Sequence, residues 1–229
     1  AADLIEIDYS ELPATVMAED AVKDGAPLVY EEAINNVSFT LRLGNGDAAD
    51  EAIKNAHHVT RIKLHNNRLD AMTMEPRGCN GEYDISNGRL TFYTSTQNVH
   101  GIRQGLAAQN LNVPESQIRV IAKDVGGGFG MKGHVYPEEA VVAWACKRIE
   151  RPVKWIATRS ESLMGDDHGR DQTVEAELAL DANGKFVALR WHALHNVGAY
   201  IEGAGAIPVL FAVKLAPTVY NIPNVDVIN

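Results

Sequence analysis

The alternation of apolar and polar residues along the chain predicts six β-strands. They span residues 36–43, 58–64, 81–84, 89–95, 172–180 and 185–196. The third and fourth strands flank Ser-Asn-Gly at 86–88, and the last two flank Asp-Ala-Asn-Gly at 181–184. Both short connections are typical of hairpin turns. The pattern therefore predicts two antiparallel hairpins.

Apolar residues spaced three and four apart predict three helices. One is a short acidic helix over residues 47–56, and another covers 136–149, with acids in its first turn and bases in its last. A third follows the strand that ends near residue 95, with Ser95 or Thr96 as its cap. The predicted buried stripe of this helix consists of Val99, Ile102 and Leu106.

Sheets with helices packed on them indicate an α+β (mixed α/β) fold. Residues 1–30 are predicted to form a strand and an extended linker, which leaves residues 31–229 as the main domain. Residues 206–212 are apolar, and Pro208 with its small neighbours is expected to break any regular helix there.

Composition narrows the function classes. The chain is 45% hydrophobic and 22% charged, which predicts a folded, soluble, cytoplasmic protein, and it has no apolar run near the roughly 20 residues of a membrane span. A net charge of −9 with 21 scattered basic residues argues against a nucleic-acid partner. Cys79 and Cys146 cannot hold an iron–sulfur cluster alone, and we expect buried free thiols.

A glycine-rich loop is the strongest functional signal. The apolar run at 119–122 leads into Gly126–Gly130, where glycines can point successive N–H groups at an anionic or oxyanionic ligand. Gly128, Gly130 and Gly133 also spell G-x-G-x-x-G, but no βαβαβ alternation follows, which disfavours a nicotinamide-dinucleotide site. Lys132 precedes glycine instead of Ser or Thr, which excludes a phosphate P-loop. A turn that only permits close packing remains an alternative.

A second candidate is Gln97, at the mouth of the helix after residue 95. Its amide could donate to a ligand oxygen or accept from it, although a lone glutamine is more often a solvated first-turn residue. Its interpretation depends on which other segments of the chain accompany it.

Five segments together resemble the molybdopterin-binding large subunits of the molybdenum hydroxylases, the family of xanthine dehydrogenase, aldehyde oxidase and aerobic carbon monoxide dehydrogenase. They begin at residues 74 (Met-Glu-Pro-Arg-Gly), 95 (Ser-Thr-Gln-Asn), 125 (Val-Gly-Gly-Gly-Phe-Gly-Met-Lys), 151 (Arg-Pro-Val-Lys-Trp) and 196 (Asn-Val-Gly-Ala-Tyr). The resemblance covers essentially all 229 residues. It is specific for the family and not for the substrate.

The resemblance implies a site built around a molybdenum cofactor. By it, Gln97 hydrogen-bonds the apical oxo ligand of molybdenum, and the backbone of Gly127, Gly128, Phe129 and Gly130 lies against the cofactor. Phe129 would exclude water as an apolar wall, unless it is an ordinary core aromatic. No residue of this chain is expected to ligate the metal directly.

The resemblance also implies cofactors and partners. The cofactor would be molybdopterin with molybdenum, in the cytosine dinucleotide form, with [2Fe–2S] clusters and FAD on partner domains or subunits. The remaining molybdopterin domain would complete the site. The reaction implied is oxidation of an aldehyde, heterocycle or other small molecule with water as the oxygen source.

Departures from the family pattern affect the substrate and the catalytic base. Gly133 stands where xanthine-oxidising members carry a glutamate, which argues against a purine pocket and places Phe129 and Gly133 at the substrate pocket. The later P-x-x-A-Y-R-G-x-G segment and the general-base glutamate do not occur in these residues. We therefore interpret the chain as a fragment, with residues 1–30 as the end of an α/β-hammerhead domain plus linker and 31–229 as an incomplete first molybdopterin-binding domain.

We expect the isolated chain to be inactive and to contain no catalytic residue. Two other functions remain open at this point. The chain could be a binding or assembly module without chemistry, since the catalytic base is not in it. The G-x-G-x-x-G match also leaves a nicotinamide-dependent dehydrogenase as a weaker alternative.

The glycine pattern generates a direct test of that last alternative. Calorimetric titration with NAD is expected to give a Kd no tighter than about 1 mM, because the acidic residue that would bind the ribose is not at the end of a second strand. A micromolar Kd would instead support the dehydrogenase.

Overall fold

The computed structural model describes residues 4–201 and 205–229. The chain divides into two compact units. The terminal unit comprises Ala1–Asn67 and Arg170–Asn229, and the central unit comprises Arg68–Gly169. Each unit has its own sheet.

Short strands and helices are interspersed along the described residues. In chain order, the strands are β1 (Arg42–Gly44), β2 (His58–Asn66), β3 (Leu69–Asp70), β4 (Gly78–Asp84), β5 (Arg89–Thr94), β6 (Ile118–Ile121), β7 (Val153–Ile156), β8 (His168–Gly169), β9 (Gln172–Leu180), β10 (Phe186–His195) and β11 (Asn224–Ile228). The α-helices are α1 (Ala18–Ala21), α2 (Gly46–Lys54), α3 (Val99–Gly105), α4 (Pro137–Ile149), α5 (Arg159–Gly165) and α6 (Ile207–Leu215).

The terminal unit is a five-stranded sheet in the order β1-β11-β10-β9-β2. The predicted hairpin β9–β10 is confirmed, and its turn is closed by Asp181, whose Oδ1 accepts from the backbone N–H groups of Asn183 and Lys185 at 2.8 and 2.9 Å. Strand β2 pairs antiparallel with β9, as a meander requires. The predicted acidic helix forms as α2 and buries Ile53 against the sheet.

The central unit contains a four-stranded sheet in the order β6-β5-β4-β7. The predicted hairpin β4–β5 is confirmed, and β6 joins β5 in parallel. Helices α3 and α4 contribute to one apolar cluster with this sheet. Its buried members are Cys79, Leu90, Phe92, Ile102, Leu106, Ala107, Ile118, Val142, Ala143 and Cys146. Both cysteines are buried free thiols, as expected, and burial raises the pKa of Cys79 to about 12.

Helix α4 forms where its charge pattern predicts. It begins at Pro137, which suits a first turn because the N–H that proline lacks would have no partner there. Glu139 reaches back from the first turn and accepts the Tyr136 backbone N–H at 3.1 Å. Lys147 and Arg148 lie in the last turn, next to the negative end of the helix dipole.

The cap of α3 differs from the prediction. Asn98, and neither Ser95 nor Thr96, accepts the backbone N–H of Gly101, at 2.9 Å. The Ser95 hydroxyl donates to Glu75, and the Thr96 hydroxyl donates to the Lys132 carbonyl and accepts the Asn98 N–H at 3.1 Å. The helix therefore begins later than predicted.

The strand predicted at residues 36–43 is mostly wrong. Only Arg42–Gly44 forms a strand, and it pairs with β11. Asn35 and Asn36 have φ of 52° and 57°, within a 3₁₀ turn at Ile34–Asn36, so the backbone enters this segment in a non-extended conformation.

The predictions at the two ends of the chain also need correction. No strand forms within residues 4–13, where no neighbouring strand pairs with the backbone and Leu4, Ile5 and Tyr9 are exposed, while residues 1–3 lie outside the described part. The segment that Pro208 was expected to interrupt is helix α6. Proline is tolerated there because it lies in the first turn.

The predicted α+β class is confirmed, since helices pack on sheets in the described parts of the chain. The domain boundary near residue 30 stays a prediction. Within residues 4–201 and 205–229, no helix combines the length and apolar character needed to cross a membrane.

The core of the central unit gives a stability test. Phe92 is fully buried between the sheet and its helices, whereas Phe129 is 76% exposed. Phe92→Ala should lower the free energy of unfolding by about 3–5 kcal/mol, since it leaves a cavity. Phe129→Ala, the matched control, should change it by about 0.5 kcal/mol or less. Chemical denaturation measures both, and equal losses would contradict this description of the core.

Candidate functional site

Three of the segments singled out in the sequence meet in the central unit. They span residues 74–78, 95–98 and 125–132. The backbone N–H of Glu75 donates to the carbonyl of Gly126 at 3.2 Å, and its carboxylate Oε2 accepts the Gly126 N–H at 2.8 Å. The backbone N–H of Gln97 donates to the carbonyl of Lys132 at 2.9 Å. The loops are therefore tied directly to one another.

The Gln97 side chain contacts the glycine loop. Its Oε1 accepts the backbone N–H of Gly130 at 2.9 Å. Because an N–H can only donate, this bond decides which end of the carboxamide is oxygen. Gln97 is exposed, and its Nε2 makes no hydrogen bond within the part of the chain that the structure describes. An oriented amide donor is left available for a ligand.

The glycine loop has a backbone that few other residues could adopt. Gly127 and Gly130 have φ of 96° and 95°, in the left-handed region that favours glycine. A Cβ at Gly128 would lie 2.4 Å from the carboxamide carbon of Gln97, far inside van der Waals contact. Phe129 also has a positive φ, of 51°, which is strained for a bulky residue.

Phe129 and Gly133 lie on the open side of the loop. With 76% of its surface exposed, Phe129 is not a core aromatic, so that alternative is wrong. A Cβ added at Gly133 would meet no atom within 4 Å among the described residues, and the Gly133 carbonyl accepts from Asn98 Nδ2 at 3.2 Å. Both residues could therefore contact a ligand without rearrangement of the loop.

A buried lysine lies beneath the loop. Lys132 is 2% exposed, and its Nζ donates to Glu75 Oε2 at 3.1 Å, the Glu75 carbonyl at 2.7 Å and Ser95 Oγ at 2.8 Å. Ser95 Oγ donates in turn to Glu75 Oε2 at 2.6 Å. Partial burial alone would raise the pKa of Glu75, but hydrogen bonds from Ser95, Gly126 and Lys132 outweigh it and hold this pKa below its ordinary value.

A second buried cation anchors the same region. Arg77 donates from Nε to Asp166 at 2.6 Å and from Nη1 to Glu138 at 3.0 Å, and its guanidinium lies 3.7 Å from the centre of the Tyr136 ring. Tyr136 donates its hydroxyl to the carbonyl of Met131 at 2.9 Å, and burial raises the pKa of that hydroxyl. The start of α4 is thereby fixed to the end of the glycine loop.

These ion pairs were missed by sequence reasoning. In the sequence, Lys132 was used only to exclude a P-loop. Glu75 and Arg77 were noted only as part of the segment that begins at residue 74, and neither was assigned a role. A usable signal was present, because two of the motifs that meet here carry charged residues, Glu75 and Arg77 in one and Lys132 in the other. Buried charges need partners, so charges within apolar, glycine-rich motifs predict ion pairs between those motifs.

The free Gln97 amide fits an oxygen-rich cofactor. The N–H groups of Gly126 and Gly130, which were expected to point at a ligand, instead donate to Glu75 and Gln97. Gln97 offers a neutral, oriented N–H donor next to the open, positive-φ position Gly130, and oxo or phosphate oxygens prefer such donors. The charge of Glu75 is offset by Lys132, so the loop does not present an uncompensated anion.

A family model described as the molybdopterin cofactor-binding domain matches residues 29–229. The chain belongs to this family. The predicted resemblance to molybdopterin-binding large subunits of molybdenum hydroxylases is thereby confirmed.

Similar proteins agree in sequence and structure. The nicotine 6-hydroxylase large subunit of Paenarthrobacter nicotinovorans is 35% identical over 99% of this chain and 28% of its own length. The carbon monoxide dehydrogenase large chain of Hydrogenophaga pseudoflava is 30% identical over 87% of this chain and 26% of its own. Quinoline 2-oxidoreductase from Pseudomonas putida 86 superposes with a TM-score of 0.92 at 31% identity, over 99% of this chain and 29% of that one. The chain thus spans less than a third of each protein's length.

The lowered pKa of Glu75 generates a pH test. A carboxylate whose pKa is lowered by folding stabilises the protein when the pH is above the pKa of the same group in the unfolded chain, which is near 4.5. This stabilisation is lost as the pH falls through the pKa of the folded state. Glu75→Gln should therefore be less stable than wild type at pH 7, and the difference should shrink between about pH 5 and pH 3.

Denaturant titrations at several pH values across this range measure the difference in the free energy of unfolding between wild type and Glu75→Gln. The matched control is Glu82→Gln, on exposed β4 surface. It should show a small difference from wild type that changes little with pH. A Glu75→Gln difference that stays constant down to pH 3 would mean that the Glu75 charge contributes nothing.

Proposed function

We propose that the central unit forms part of the molybdenum cofactor cradle of an enzyme that oxidises a small molecule with oxygen from water. The observation that carries this proposal is the bond between Gln97 Oε1 and Gly130 N–H, which leaves Gln97 Nε2 as a fixed donor. When bound, the cofactor supplies the two-electron oxidation of a substrate carbon. The residues of this chain bind the cofactor, orient it and shield it from water.

Gln97 would hold the cofactor by donating a hydrogen bond from Nε2 to one of its oxygens. A donor already aligned in the resting protein needs no reorganisation during the reaction, which is the condition for strong electrostatic stabilisation. The bond to Gly130 supplies that alignment. A free glutamine side chain would lose rotamer freedom each time it bound.

The glycine loop provides the contact surface. Gly127 and Gly130 lack side chains, so a cofactor can approach their backbone directly, whereas Gly128 is buried against the Gln97 side chain. The exposed Phe129 ring would shield a bound cofactor from water. Phe129 and Gly133 form part of the substrate pocket, with no side chain of Gly133 to narrow it.

The proposed substrate is an aromatic nitrogen heterocycle within the wider range of aldehydes, heterocycles and other small molecules. Support comes from the names of two similar proteins, which refer to nicotine and quinoline. The proposed cofactor is the cytosine dinucleotide form of molybdopterin. The proposed partners are the remaining molybdopterin domain and iron–sulfur and FAD subunits, consistent with relatives named as a large subunit and a large chain, and the location is the cytoplasm.

The role of Gln97 is tested in the full-length subunit assembled with its partners. Gln97→Ala should lower kcat about 10²- to 10³-fold, the usual effect of removing one preorganised donor. Molybdenum content should stay normal, since retention depends on many other contacts. Steady-state kinetics and elemental analysis measure the two quantities.

The matched control is Gln104→Ala, on the exposed surface of α3, which should change neither kcat nor molybdenum content. A Gln97→Ala enzyme with normal kcat would contradict the proposal. Loss of molybdenum in proportion to activity would make Gln97 a retention residue instead of a donor to the reaction.

A further inference from the structure

We propose that Lys132 is a positioning residue that holds the Gln97 carboxamide in its donating orientation. This inference rests on the proposed function of Gln97 and adds a residue that acts through it. Lys132 would act without contacting the cofactor or the substrate.

The side chain of Lys132 is fully committed to the protein. An ammonium has three N–H donors, and all three have partners: the Glu75 carbonyl at 2.7 Å, Ser95 Oγ at 2.8 Å and Glu75 Oε2 at 3.1 Å. With 2% of the residue exposed, no donor remains for a ligand. Direct stabilisation of a reacting group by this ammonium is therefore excluded by its geometry.

The main chain of Lys132 holds the segment that carries Gln97. The Lys132 carbonyl accepts the backbone N–H of Gln97 and the hydroxyl of Thr96, both at 2.9 Å. The ammonium holds Ser95, immediately before Thr96. One residue thus fixes three successive positions that lead to the carboxamide.

The same ammonium also fixes the first residue of the glycine loop, Gly126. It orients the Glu75 carboxylate, whose Oε2 accepts the Gly126 N–H at 2.8 Å. Gly130, four residues further on, donates to Gln97 Oε1. Lys132 is therefore connected to the start of the loop through Glu75, and to the Gln97 carboxamide through residues 95–97.

This arrangement predicts a specific dependence between substitutions. If Lys132 acts through Gln97, Lys132→Met should lower kcat while the KM for substrate stays within about twofold. In a Gln97→Ala background, Lys132→Met should lower kcat by less than about twofold further, because residues that act as a unit are not additive. Steady-state kinetics of the full-length, cofactor-loaded enzyme measure all four forms.

A second readout does not depend on activity. Hydrogen–deuterium exchange of the cofactor-free, full-length protein reports on the peptide that contains Gly126 and Gly130. Exchange there should be at least about tenfold faster in Lys132→Met, since both N–H groups lose a fixed acceptor. Lys123→Met, the same substitution at an exposed lysine upstream of the loop, should leave exchange unchanged.

Ser95→Ala serves if Lys132→Met does not fold. It removes one acceptor of the ammonium and leaves the ion pair, so it should reproduce the faster exchange and the loss of kcat to a smaller degree. Unchanged exchange at the loop, or a Lys132→Met loss that adds fully to that of Gln97→Ala, would overturn the positioning role.

The proposed function fails in a different way. If Gln97→Ala leaves kcat unchanged, Gln97 is not a donor in the reaction, whatever Lys132 does. If Gln97→Ala lowers kcat and Lys132→Met changes neither kcat nor exchange, the donor role stands and only the positioning role is wrong.

Discussion

A buried ammonium that must satisfy three donors is the constraint on which the candidate site depends. Lys132 cannot be buried at an acceptable cost unless Glu75 and Ser95 lie beside it. These residues belong to segments that are far apart in the chain. Satisfying one cation therefore requires three loops to converge, and the convergence places Gln97 over Gly128.

The central unit uses a second cation for a related purpose. Arg77 is held by Asp166 and Glu138 and stacks on Tyr136. Strand ladders stop short of these loops, so their geometry is set by side chains instead of repeated backbone bonds. Removing one partner of such a pair leaves an uncompensated buried charge, which is more costly than loss of a surface bond. Loops fixed this way can be open to a ligand and still be rigid.

Sequence reasoning succeeded where the signal is local. The hairpin β9–β10 and helix α4 follow from alternation, turn chemistry and charge placement within a few residues. It failed where the local rule offers several candidates, as at the α3 cap, where Asn98 accepts the Gly101 N–H and Thr96 accepts the Asn98 N–H one step earlier. Gln97 was found through a family resemblance, whereas the lysine beneath it required coordinates. An ion pair between motifs leaves little trace in either motif alone.

The backbone of Phe129 is strained, and packing of its exposed ring does not offset that strain energy. A bulky residue at a φ of 51° loses about 1–3 kcal/mol relative to a relaxed conformation, and a ring in water recovers little of it by packing. Glycine at this position would relieve the strain. A laboratory selection for thermal stability alone would therefore tend to replace Phe129. If Phe129 persisted under such a selection, it would have to contribute something other than stability.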